Sequence, residues 1–453
     1  MTLDRRSMLK RAGLAAAAGS SITLAGDASR TLAAPVAITA ENVKAHGALG
    51  DGAADDAEAI QAALEAVPEA GGAVYFPPGD YLVGRRLVPR SQTLMFGCHS
   101  PRYHPVANPD SACRIRAKGA FAGDGLLEPE GSAQGITIRN LALVGDGAKA
   151  RAGIRMPDLP EVTGEQAWTL ENVTIAGFEH GIEGRVHVFS LLHCHIHSNE
   201  GWGIYASEGN RWNDSHLANC FLYFNRSGNL FFGGQQQSAA VEFVNCRFER
   251  AGNRYGSPLE PLNPGAPGIK LESARFLSFT NCYTDANAGN GVEIEGASAV
   301  ALSNIYFTGC IFNRDGTGQG ESSRSRYAGV KVKGATPTGS AGANHMKFAN
   351  CLVGTGTPDD EGGGPTGPAY GVWYENTEDF QWIGGRAEGV TSAFYVGTGN
   401  NSRPAMVDTS AGFLTLPLSP PADAVSDGMA YFDAATGKLL VRSGAQWKSV
   451  TLR

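Results

Sequence analysis

The chain carries few charges and has no excess of basic residues. Only 18% of its 453 residues are charged, and 37 Lys and Arg against 44 Asp and Glu leave a formal net charge of -7. Proteins that bind nucleic acid carry basic faces, so this balance argues against a nucleic-acid partner. Beyond the N-terminus, the sequence also lacks an apolar run long enough to span a bilayer. The mature chain is therefore expected to have no membrane span.

Glycine, by contrast, is abundant. The 60 glycines are nearly twice the usual share of about 7%. This composition is typical of a β-rich chain with many tight turns and few helices.

The first 34 residues are predicted to be a targeting signal. The run Asp4-Arg5-Arg6-Ser7-Met8-Leu9-Lys10 precedes an Ala-rich apolar stretch that ends near Leu24. This pattern resembles a twin-arginine export signal and is too short to span a membrane stably. Processing is expected between Ala28 and Pro35, which predicts a periplasmic or secreted protein exported in the folded state. The alternative is a cytoplasmic amphipathic helix.

Six of the eight cysteines mark a repeat. Each follows an Asn, Gly or His and precedes a short alternating strand, and they recur after 26, 26, 36, 28 and 41 residues, at Cys194, Cys220, Cys246, Cys282, Cys310 and Cys351. A second phrase of Gly followed by Ile or Val comes after each copy, as in Gly268-Ile269-Lys270-Leu271 and Gly291-Val292-Glu293-Ile294. Repeats of 20 to 40 residues with short period-two strands indicate a solenoid.

The residues around each cysteine predict how one coil is built. The recurrent Asn marks a tight bend, where its side chain can satisfy backbone groups and stack on the Asn of the next coil. The following Cys points inward, because small thiols pack well in a solenoid core. A reduced cysteine ladder is expected, with partial disulfide pairing as the alternative. Metal binding by the ladder is not expected.

The N-terminal part of the mature chain carries a signature of its own. The run Asn42-Val43 to Asp51-Gly52 precedes a helix that Asp55 can cap, with Glu58 three residues on. A strand phrase, Phe76-Pro77-Pro78-Gly79-Asp80-Tyr81, follows. Together these resemble the pectate-lyase-like superfamily, which includes rhamnogalacturonase, epimerase and tailspike relatives. The resemblance implies an all-β, single-stranded right-handed parallel β-helix over residues 35–410, with an N-terminal capping helix.

Residues 411–453 are predicted to be a separate tail. A Pro-rich linker from Pro417 to Pro421 precedes a unit that contains Asp427-Gly428 and Gln446-Trp447 and has the pattern of a β-hairpin. The tail resembles a short terminal motif of phage tail and surface proteins. It either closes the helix or serves as an attachment or oligomerisation element.

The longest insertions share one corner of the coil, just before the Gly-Val strand. Loops at one corner form a wall along one face, and in relatives that the resemblance points to, this corner and strand line the cleft. Reading outward residues up the stack predicts that Lys270, Glu293 and Lys331 are direct neighbours, with Tyr205 and Trp373 on either side. This layout suits a sugar chain, although a solvated charge ladder has the same pattern.

Two kinds of sugar cleavage remain open at this row. Elimination from a uronic acid needs a cation for the carboxylate and a base for the C5 proton, for which Lys270 or Lys331 is a candidate. Hydrolysis needs two carboxyl groups. Glu293 with Glu295 and Glu272 with Glu295 are available, and Asp285 lies at the start of the adjoining turn, but no pair is singled out. The candidate catalytic residues are therefore Lys270, Glu293, Glu295, Lys331 and Asp285.

Further residues are predicted to bind an anionic substrate: Tyr205, Arg254, Tyr255, Arg326, Tyr327, Lys333 and Trp373. The sharper motifs of polygalacturonases are missing, since Gly268-Ile269-Lys270 lacks the arginine of the Arg-Ile-Lys triplet. The aspartate cluster of calcium-dependent pectate lyases is missing as well, so no cofactor or metal is expected and calcium stays doubtful. His193, His195 and His197 have the spacing of a metal site, but His193 occupies the Asn bend position, which favours bend or surface histidines.

The sequence thus predicts an exported polysaccharide lyase acting by β-elimination on a uronate-containing polysaccharide. A glycoside hydrolase or an epimerase on the same scaffold is the alternative. A non-catalytic, surface-attached carbohydrate-binding β-helix is the rival from another class. Either a monomer or a homotrimer is compatible with the sequence.

Overall fold

A computed structural model describes residues 40–453, except 100–112, 132, 146–149, 157–166, 208–210, 235–236, 254–262, 297–301, 318–326, 335–342, 355–366, 388–389, 391–392, 399–404, 408–429, 434–437, 444–445 and 451–453. The predicted export signal therefore lies outside the described residues. Among the residues described, no helix is long and apolar enough to cross a bilayer.

The first elements form the capped end of a solenoid. They are β1 (Ala40–Asn42), β2 (Asp51–Asp55), α1 (Ala57–Glu65), β3 (Gly72–Tyr75), β4 (Gly79–Leu87), β5 (Thr93–Phe96) and β6 (Cys113–Leu127). Ile60 and Leu64 on one face of α1 are fully buried, with Val67 just beyond it. The helix thus covers the apolar end of the core, as the sequence predicts.

The start of α1 differs from the prediction by one residue. Asp56, rather than Asp55, is the N-cap residue. Its carboxylate accepts hydrogen bonds from Leu49 N and Gly50 N, at 2.6 and 3.0 Å, and it makes no side-chain capping bond to the helix. The Asp55 carboxylate accepts from Ala57 N at 3.1 Å instead. The two acidic side chains therefore tie the helix to the preceding turn.

After β6 the chain winds in coils of up to three strands. The coils contain β7 (Thr137–Arg139), β8 (Ala142–Val144), β9 (Ala152–Met156), β10 (Trp168–Glu171), β11 (Thr174–Ala176), β12 (His180–Gly184), β13 (Val186–His187), β14 (Phe189–Leu192), β15 (His195–His197), β16 (Trp202–Ala206), β17 (Trp212–Ala218), β18 (Phe221–Tyr223), β19 (Gly228–Phe232), β20 (Ser238–Val244), β21 (Arg247–Glu249), β22 (Ile269–Leu271), β23 (Ala274–Thr280), β24 (Tyr283–Asp285), β25 (Val292–Glu295), β26 (Leu302–Thr308), β27 (Ile311–Asn313), β28 (Ala328–Lys333), β29 (Ala343–Gly354), β30 (Tyr370–Glu375), β31 (Thr377–Ala387), β32 (Ala393–Thr398) and β33 (Ala405–Val407).

Every strand of these coils pairs in parallel with the equivalent strand one coil away. Three faces result. Sheet A holds the Gly-Val strands β9, β12, β16, β19, β22, β25, β28, β30 and β32. Sheet B holds the strands before the Asn bend, among them β14, β17, β20, β23 and β26. Sheet C holds the short strands after it, from β8 to β27. This is the predicted right-handed parallel β-helix.

A single residue turns the chain from sheet B into sheet C. Asn140, Asn172, His193, Asn219, Asn245, Asn281, Gly309, Asn350 and Gly384 all have a positive φ between 51° and 69° there. Asn and Gly tolerate this left-handed conformation better than other residues. Side-chain amides also bridge coils, with Asn245 Nδ2 donating to Asn219 Oδ1 at 3.3 Å. The predicted Asn bend is confirmed.

The interior is built from stacks of like side chains. The six repeat cysteines are at most 4% exposed, all six are free thiols, and all six donate to backbone carbonyls of the preceding coil, as Cys220 Sγ does to Leu191 O at 3.4 Å. Phe243, Phe279 and Phe307 stack with ring centroids 4.4 Å apart. Because the interior is closely packed, the side chains of each coil determine which side chains fit in the next. Outside the ladder, Cys98 Sγ and Cys113 Sγ lie 2.6 Å apart.

The C-terminal strands form a small antiparallel sheet. It contains β34 (Ala430–Asp433), β35 (Lys438–Ser443) and β36 (Gln446–Val450), paired in that order. The predicted hairpin is present, and a third strand extends it.

Candidate functional site

One outward row of side chains runs the length of sheet A. Successive side chains of a strand point to opposite faces, so the residue between two buried apolar ones faces outward. Strand register joins these residues coil by coil, in the order Glu183, Tyr205, Phe231, Lys270, Glu293, Lys331 and Trp373. The row predicted from the repeat is confirmed, and parallel strands place its members about 4.8 Å apart along the helix axis.

Charged residues occupy the centre of this row. Lys270 Nζ lies 3.3 Å from Glu293 Oε1 and 3.1 Å from Glu272 Oε1. The other oxygen of Glu293 accepts a hydrogen bond from Asn290 Nδ2 at 2.6 Å. Lys331 is the register partner of Glu293 on the next coil, and it makes no ion pair with another described residue. Lys331 is therefore available to an anionic ligand.

The surroundings of Lys270 favour its protonated form. Burial by itself would lower the pKa of Lys270, but the Glu293 and Glu272 carboxylates outweigh burial and raise it. A lysine that removes a proton from a substrate must lose its own proton near neutral pH. The environment of Lys270 therefore favours a cationic role over the basic role that the sequence left open.

A second outward row lies two residues further along the same strands. Glu295 pairs in register with Lys333, and Lys333 with Glu375. Lys333 Nζ is 3.4 Å from Glu295 Oε1. Glu293 and Glu295 share one face of β25, roughly 6.6–7 Å apart at the α-carbons, as expected for the hydrolytic alternative. Each of them is already paired with a lysine.

Aromatic rings flank the charged centre on both sides. Toward the N-terminal coils, the Tyr205 and Phe231 rings stack with centroids 5.4 Å apart. Toward the C-terminal coils, Trp373 follows Lys331 directly and packs edge-on against Tyr370 at 4.9 Å. Tyr205, Phe231 and Trp373 are half-buried, and partly accessible rings beside polar groups suit a ligand with an apolar face and a polar rim. The predicted aromatic–charge–aromatic order along sheet A is thus present.

Asp285 has a different environment. It ends β24 in sheet C, at the start of the turn that leads to sheet A, and it is only 5% exposed. Its carboxylate accepts two hydrogen bonds from the Arg314 guanidinium and one from Asn313 Nδ2 at 3.0 Å. Through these contacts, Asp285 binds the turn that follows β27 on the next coil.

Several predicted ligand contacts fall in the long corner insertions. Arg254, Tyr255 and Arg326 lie outside the described residues. Tyr327 directly precedes β28, and its carbonyl accepts from Tyr370 N at 3.1 Å. The insertions connect sheet C to sheet A, between β21 and β22, β27 and β28, and within β29 to β30, which is the corner that the sequence indicates.

The N-terminal end of the row contains a cluster that the sequence reasoning missed. Arg151 binds Glu183 through two hydrogen bonds, with Arg151 Nε 2.8 Å from Glu183 Oε2. The imidazole of His180 stacks on Tyr205 at 4.2 Å, and burial lowers the pKa of His180 to about 4. The repeat indicates only Arg155 as the register partner of Glu183, whereas Arg151, which binds Glu183, precedes the repeated Gly153-Ile154 phrase and had no signal in the sequence.

The three closely spaced histidines do not converge on an ion. His193 occupies the bend, as predicted, with φ of 54°. His195 lies 3.3 Å from the Tyr223 hydroxyl, and burial lowers the pKa of His197 to about 3. Over the part of the chain that the structure describes, no group of three His, Cys, Asp or Glu side chains is arranged to hold a metal ion.

Two family models match the chain. One is rhamnogalacturonase A/epimerase, pectate lyase-like, over residues 40–108, and the other is right-handed beta helix region, over residues 161–352. Together with the register of its sheets, these matches decide the fold. The chain is a right-handed parallel β-helix. The first match covers the N-terminal signature, and the second covers the cysteine repeat.

Solved structures agree on the fold of this β-helix. The A-module of mannuronan C-5 epimerase AlgE4 from Azotobacter vinelandii superposes with a TM-score of 0.53 at 15% identity, over 81% of this chain and 96% of that module. The enzymatically active domain of tailspike protein 2 from bacteriophage CBA120 superposes with a TM-score of 0.53 at 16% identity, over 77% of this chain and 48% of that domain.

Curated relatives match the β-helix protein over short segments. Plasmin and fibronectin-binding protein A of Streptococcus pneumoniae is 32% identical over 143 residues, 30% of this chain and 20% of that protein. Mannuronan C5-epimerase AlgE1 of Azotobacter vinelandii is 39% identical over 103 residues, 21% of this chain and 6% of the epimerase. The alignments thus span a fifth or less of the length of these two relatives.

Proposed function

We propose that this β-helix acts on a uronate-containing polysaccharide at the outward row of sheet A, by removing the proton at C5 of a uronate unit. The row from Tyr205 to Trp373 carries the proposal, because it combines cations for the carboxylates of a sugar chain with aromatic rings for its faces. An exported location, through the twin-arginine signal, goes with this proposal.

C5 proton removal is the first step of both remaining reactions. The electron pair left at C5 is stabilised through the adjacent carboxylate, so that carboxylate must be neutralised by a cation. In a lyase the bond from C4 to the glycosidic oxygen then breaks, a double bond forms between C4 and C5, and the departing oxygen takes a proton from water. In an epimerase a proton returns to C5 from the opposite face. The similarity to mannuronan C5-epimerases supports epimerisation. We therefore give epimerisation the same weight as the β-elimination that the sequence predicts.

The residues of the row divide into two roles. Lys331, which has no ion pair with another described residue, binds the uronate carboxylate. Glu293 takes the C5 proton, held in place by Asn290 and by Lys270. Lys270 stays protonated between Glu272 and Glu293 and positions the base.

Incubation with polymannuronate and with polygalacturonate in D₂O tests the proposal. A lyase product absorbs in the ultraviolet because of its new double bond, and an epimerase product carries deuterium at an inverted C5, visible by NMR. We expect Glu293→Gln to lower the rate by about 100-fold or more and Lys331→Met to raise KM as well as lower kcat. Lys118→Gln, at an exposed lysine paired with Asp55, is the matched control and should keep full activity.

The result that contradicts this proposal is equally defined. If neither polymer gains deuterium, unsaturation or reducing ends, the chain does not cleave or epimerise them. If activity is present and both Glu293→Gln and Lys331→Met retain it, the reaction takes place on another face.

A non-catalytic carbohydrate-binding role is the second candidate. It is favoured by one observation: Lys270, Glu293, Glu295 and Asp285 are each paired with an opposite charge. Binding of polymannuronate without any chemical change, lost in Trp373→Ala, would establish this role.

A further inference from the structure

Sheet B carries an outward row of its own, on strands that are not part of sheet A. Register joins His216, Glu242, Ser278 and Tyr306 across β17, β20, β23 and β26. Two residues before each of them, the same strands bend at a residue with positive φ, at Asp214, Ala240, Phe276 and Asn304. The bend folds each strand into a shallow corner on the outside of the solenoid.

Stacking these corners produces a groove. Its volume is about 380 Å³, and Asp214, Ser215, His216, Ala240, Glu242, Phe276, Leu277, Ser278 and Tyr306 line it. The small side chains of Ala240 and Ser278 leave its middle open, between the longer side chains of the neighbouring coils. It spans four coils, or roughly 14 Å at about 4.8 Å per coil, which is long enough for an oligosaccharide.

Two aromatic rings stand at one end of this groove. Phe276 is 55% exposed and Tyr306 is 40% exposed, an unusual exposure for side chains of this size in a sheet. The Arg275 guanidinium lies 5.8 Å from the centroid of the Phe276 ring. Exposed rings on adjacent coils provide a platform for a flat, partly apolar ligand.

Phe276 occupies the bend position of its coil, with φ of 54°. This conformation is disfavoured for a bulky residue and is cheapest for Gly. The same φ recurs at Asp214, Ala240 and Asn304, so the bend belongs to the fold of each coil. Because Phe276 is more than half exposed at this bend, its ring is accessible to a ligand.

Most of the exposed lining of the groove is apolar, and a few polar side chains lie along it. Asp214 Oδ2 lies 3.0 Å from His187 Nε2, and Glu242 Oε2 lies 3.6 Å from His216 Nδ1, all on exposed side chains. Carboxylates accept hydrogen bonds from hydroxyl groups, and imidazoles both donate and accept them. Apolar surface with a few such groups along it fits the faces and the hydroxyls of a sugar.

From these features we infer that the groove on sheet B, from Asp214 and His216 to Phe276 and Tyr306, is a second glycan-binding site that takes a neutral pyranose chain. Phe276 and Tyr306 stack on sugar faces, and Asp214, His216 and Glu242 bind hydroxyl groups. The two carboxylates disfavour an anionic sugar, so this site differs in ligand from the row of sheet A. It would hold a neutral glycan while sheet A engages a uronate.

Calorimetric titration of the mature chain with cellohexaose and with oligomannuronate tests this inference. We expect Phe276→Ala to weaken binding of cellohexaose by about tenfold or more, equivalent to about 1.4 kcal/mol, and to leave oligomannuronate binding unchanged. Tyr306→Phe keeps the ring and should keep affinity, whereas Tyr306→Ala should lose it. Trp373→Ala, on sheet A, is the control and should leave cellohexaose binding unaffected.

Phe276→Gly separates binding from folding. Because Gly relieves the strained φ, this variant should melt no lower than the wild type and yet lose cellohexaose. Absence of cellohexaose binding by the wild type, or full affinity in Phe276→Ala, overturns the inference. So does a concentration-dependent dimer that Phe276→Ala dissociates, because the groove would then be an interface between copies. If the uronate polymers are neither cleaved nor epimerised but cellohexaose binding still depends on Phe276, only the proposed function is contradicted.

Discussion

Single side chains of the solenoid are held by partners in neighbouring coils, and Asp315 illustrates the effect on a carboxyl group. Asp315 is fully buried and accepts hydrogen bonds from Asn287 Nδ2 at 2.8 Å and Thr284 Oγ1 at 2.6 Å. Burial raises the pKa of Asp315 to about 8, although the hydrogen bonds from Thr284 and Asn287 act against it. This group is therefore protonated in the folded chain at neutral pH.

Asp315→Asn should remove a pH-dependent loss of stability. The folded chain retains the Asp315 proton up to a pKa of about 8, whereas the unfolded chain releases it near about 3.9. Between these values the unfolded state binds fewer protons, so stability falls as pH rises, by up to about 1.4 kcal/mol per pH unit. Urea unfolding at several pH values measures the slope, which should be flatter in the variant.

The control for this measurement is Asp124→Asn, at a side chain that is 59% exposed. It should leave the pH dependence as it is in the wild type. An unchanged slope in Asp315→Asn would show that the carboxyl group is ionised in the folded chain.

The outward row of sheet A could be predicted at the level of residues because the repeat fixes which side chains share a face. The partners of those side chains could not be predicted. Lys270 reaches Glu272 on its own strand as well as Glu293 on the next coil, which depends on side-chain orientation. Likewise, Arg314 closes on Asp285 through a turn whose conformation the repeat does not specify.

At the scale of elements, the bend between sheets B and C sets the shape of every coil. Asn245→Ala should destabilise the protein by about 1–2 kcal/mol, because Ala keeps a disfavoured left-handed φ and the bond to Asn219 is lost. Asn245→Gly should cost less, since Gly adopts this φ freely. Thermal melting of the two variants measures the difference.

Gly309 provides the converse test at the same position of its coil. Gly309→Asn would place a Cβ only 2.6 Å from Asn281 Oδ1, so the Asn281 side chain must move and the variant should melt below the wild type. If the Asn side chains matter only for the backbone angle, Asn245→Gly will melt at or above the wild-type temperature.

The elements themselves were largely accessible from the sequence. Short alternating strands, the Asn bend and the corner of the insertions all follow from local patterns. The bend within the strands of sheet B was not accessible, because its residues, from Asp214 and Ala240 to Phe276 and Asn304, share no residue type. Only the backbone shows that they occupy one column.

At the scale of the whole molecule, an uncovered end is the main weakness of a solenoid, because its last coil exposes apolar core. Ile60→Asp in α1 should therefore cause association, with fully buried Ile60 replaced by a charge that cannot stay in the core. Light scattering and thermal melting measure this outcome. Glu58→Gln, at a side chain that is 87% exposed, is the control and should remain as monodisperse as the wild type.

A monodisperse Ile60→Asp variant with an unchanged melting temperature would show that α1 does not protect the core. The fold as a whole was predictable because one repeat determines it. The candidate site could not be located on the solenoid in the same way, since sheet A has half-buried rings beside charges and sheet B has exposed ones, and only the strand register shows that they form separate rows.

The regular coil spacing has a consequence for how such a chain can change its length. Cys194, Cys220 and Cys246 are 26 residues apart, and each coil between them contacts chiefly the coil before and the coil after it. A duplication or loss of one 26-residue unit would shift everything beyond it by one rung and leave the Asn, Cys and Phe stacks continuous. The solenoid can thus be lengthened in whole coils, each adding one rung to its outer sheets without a change of its core.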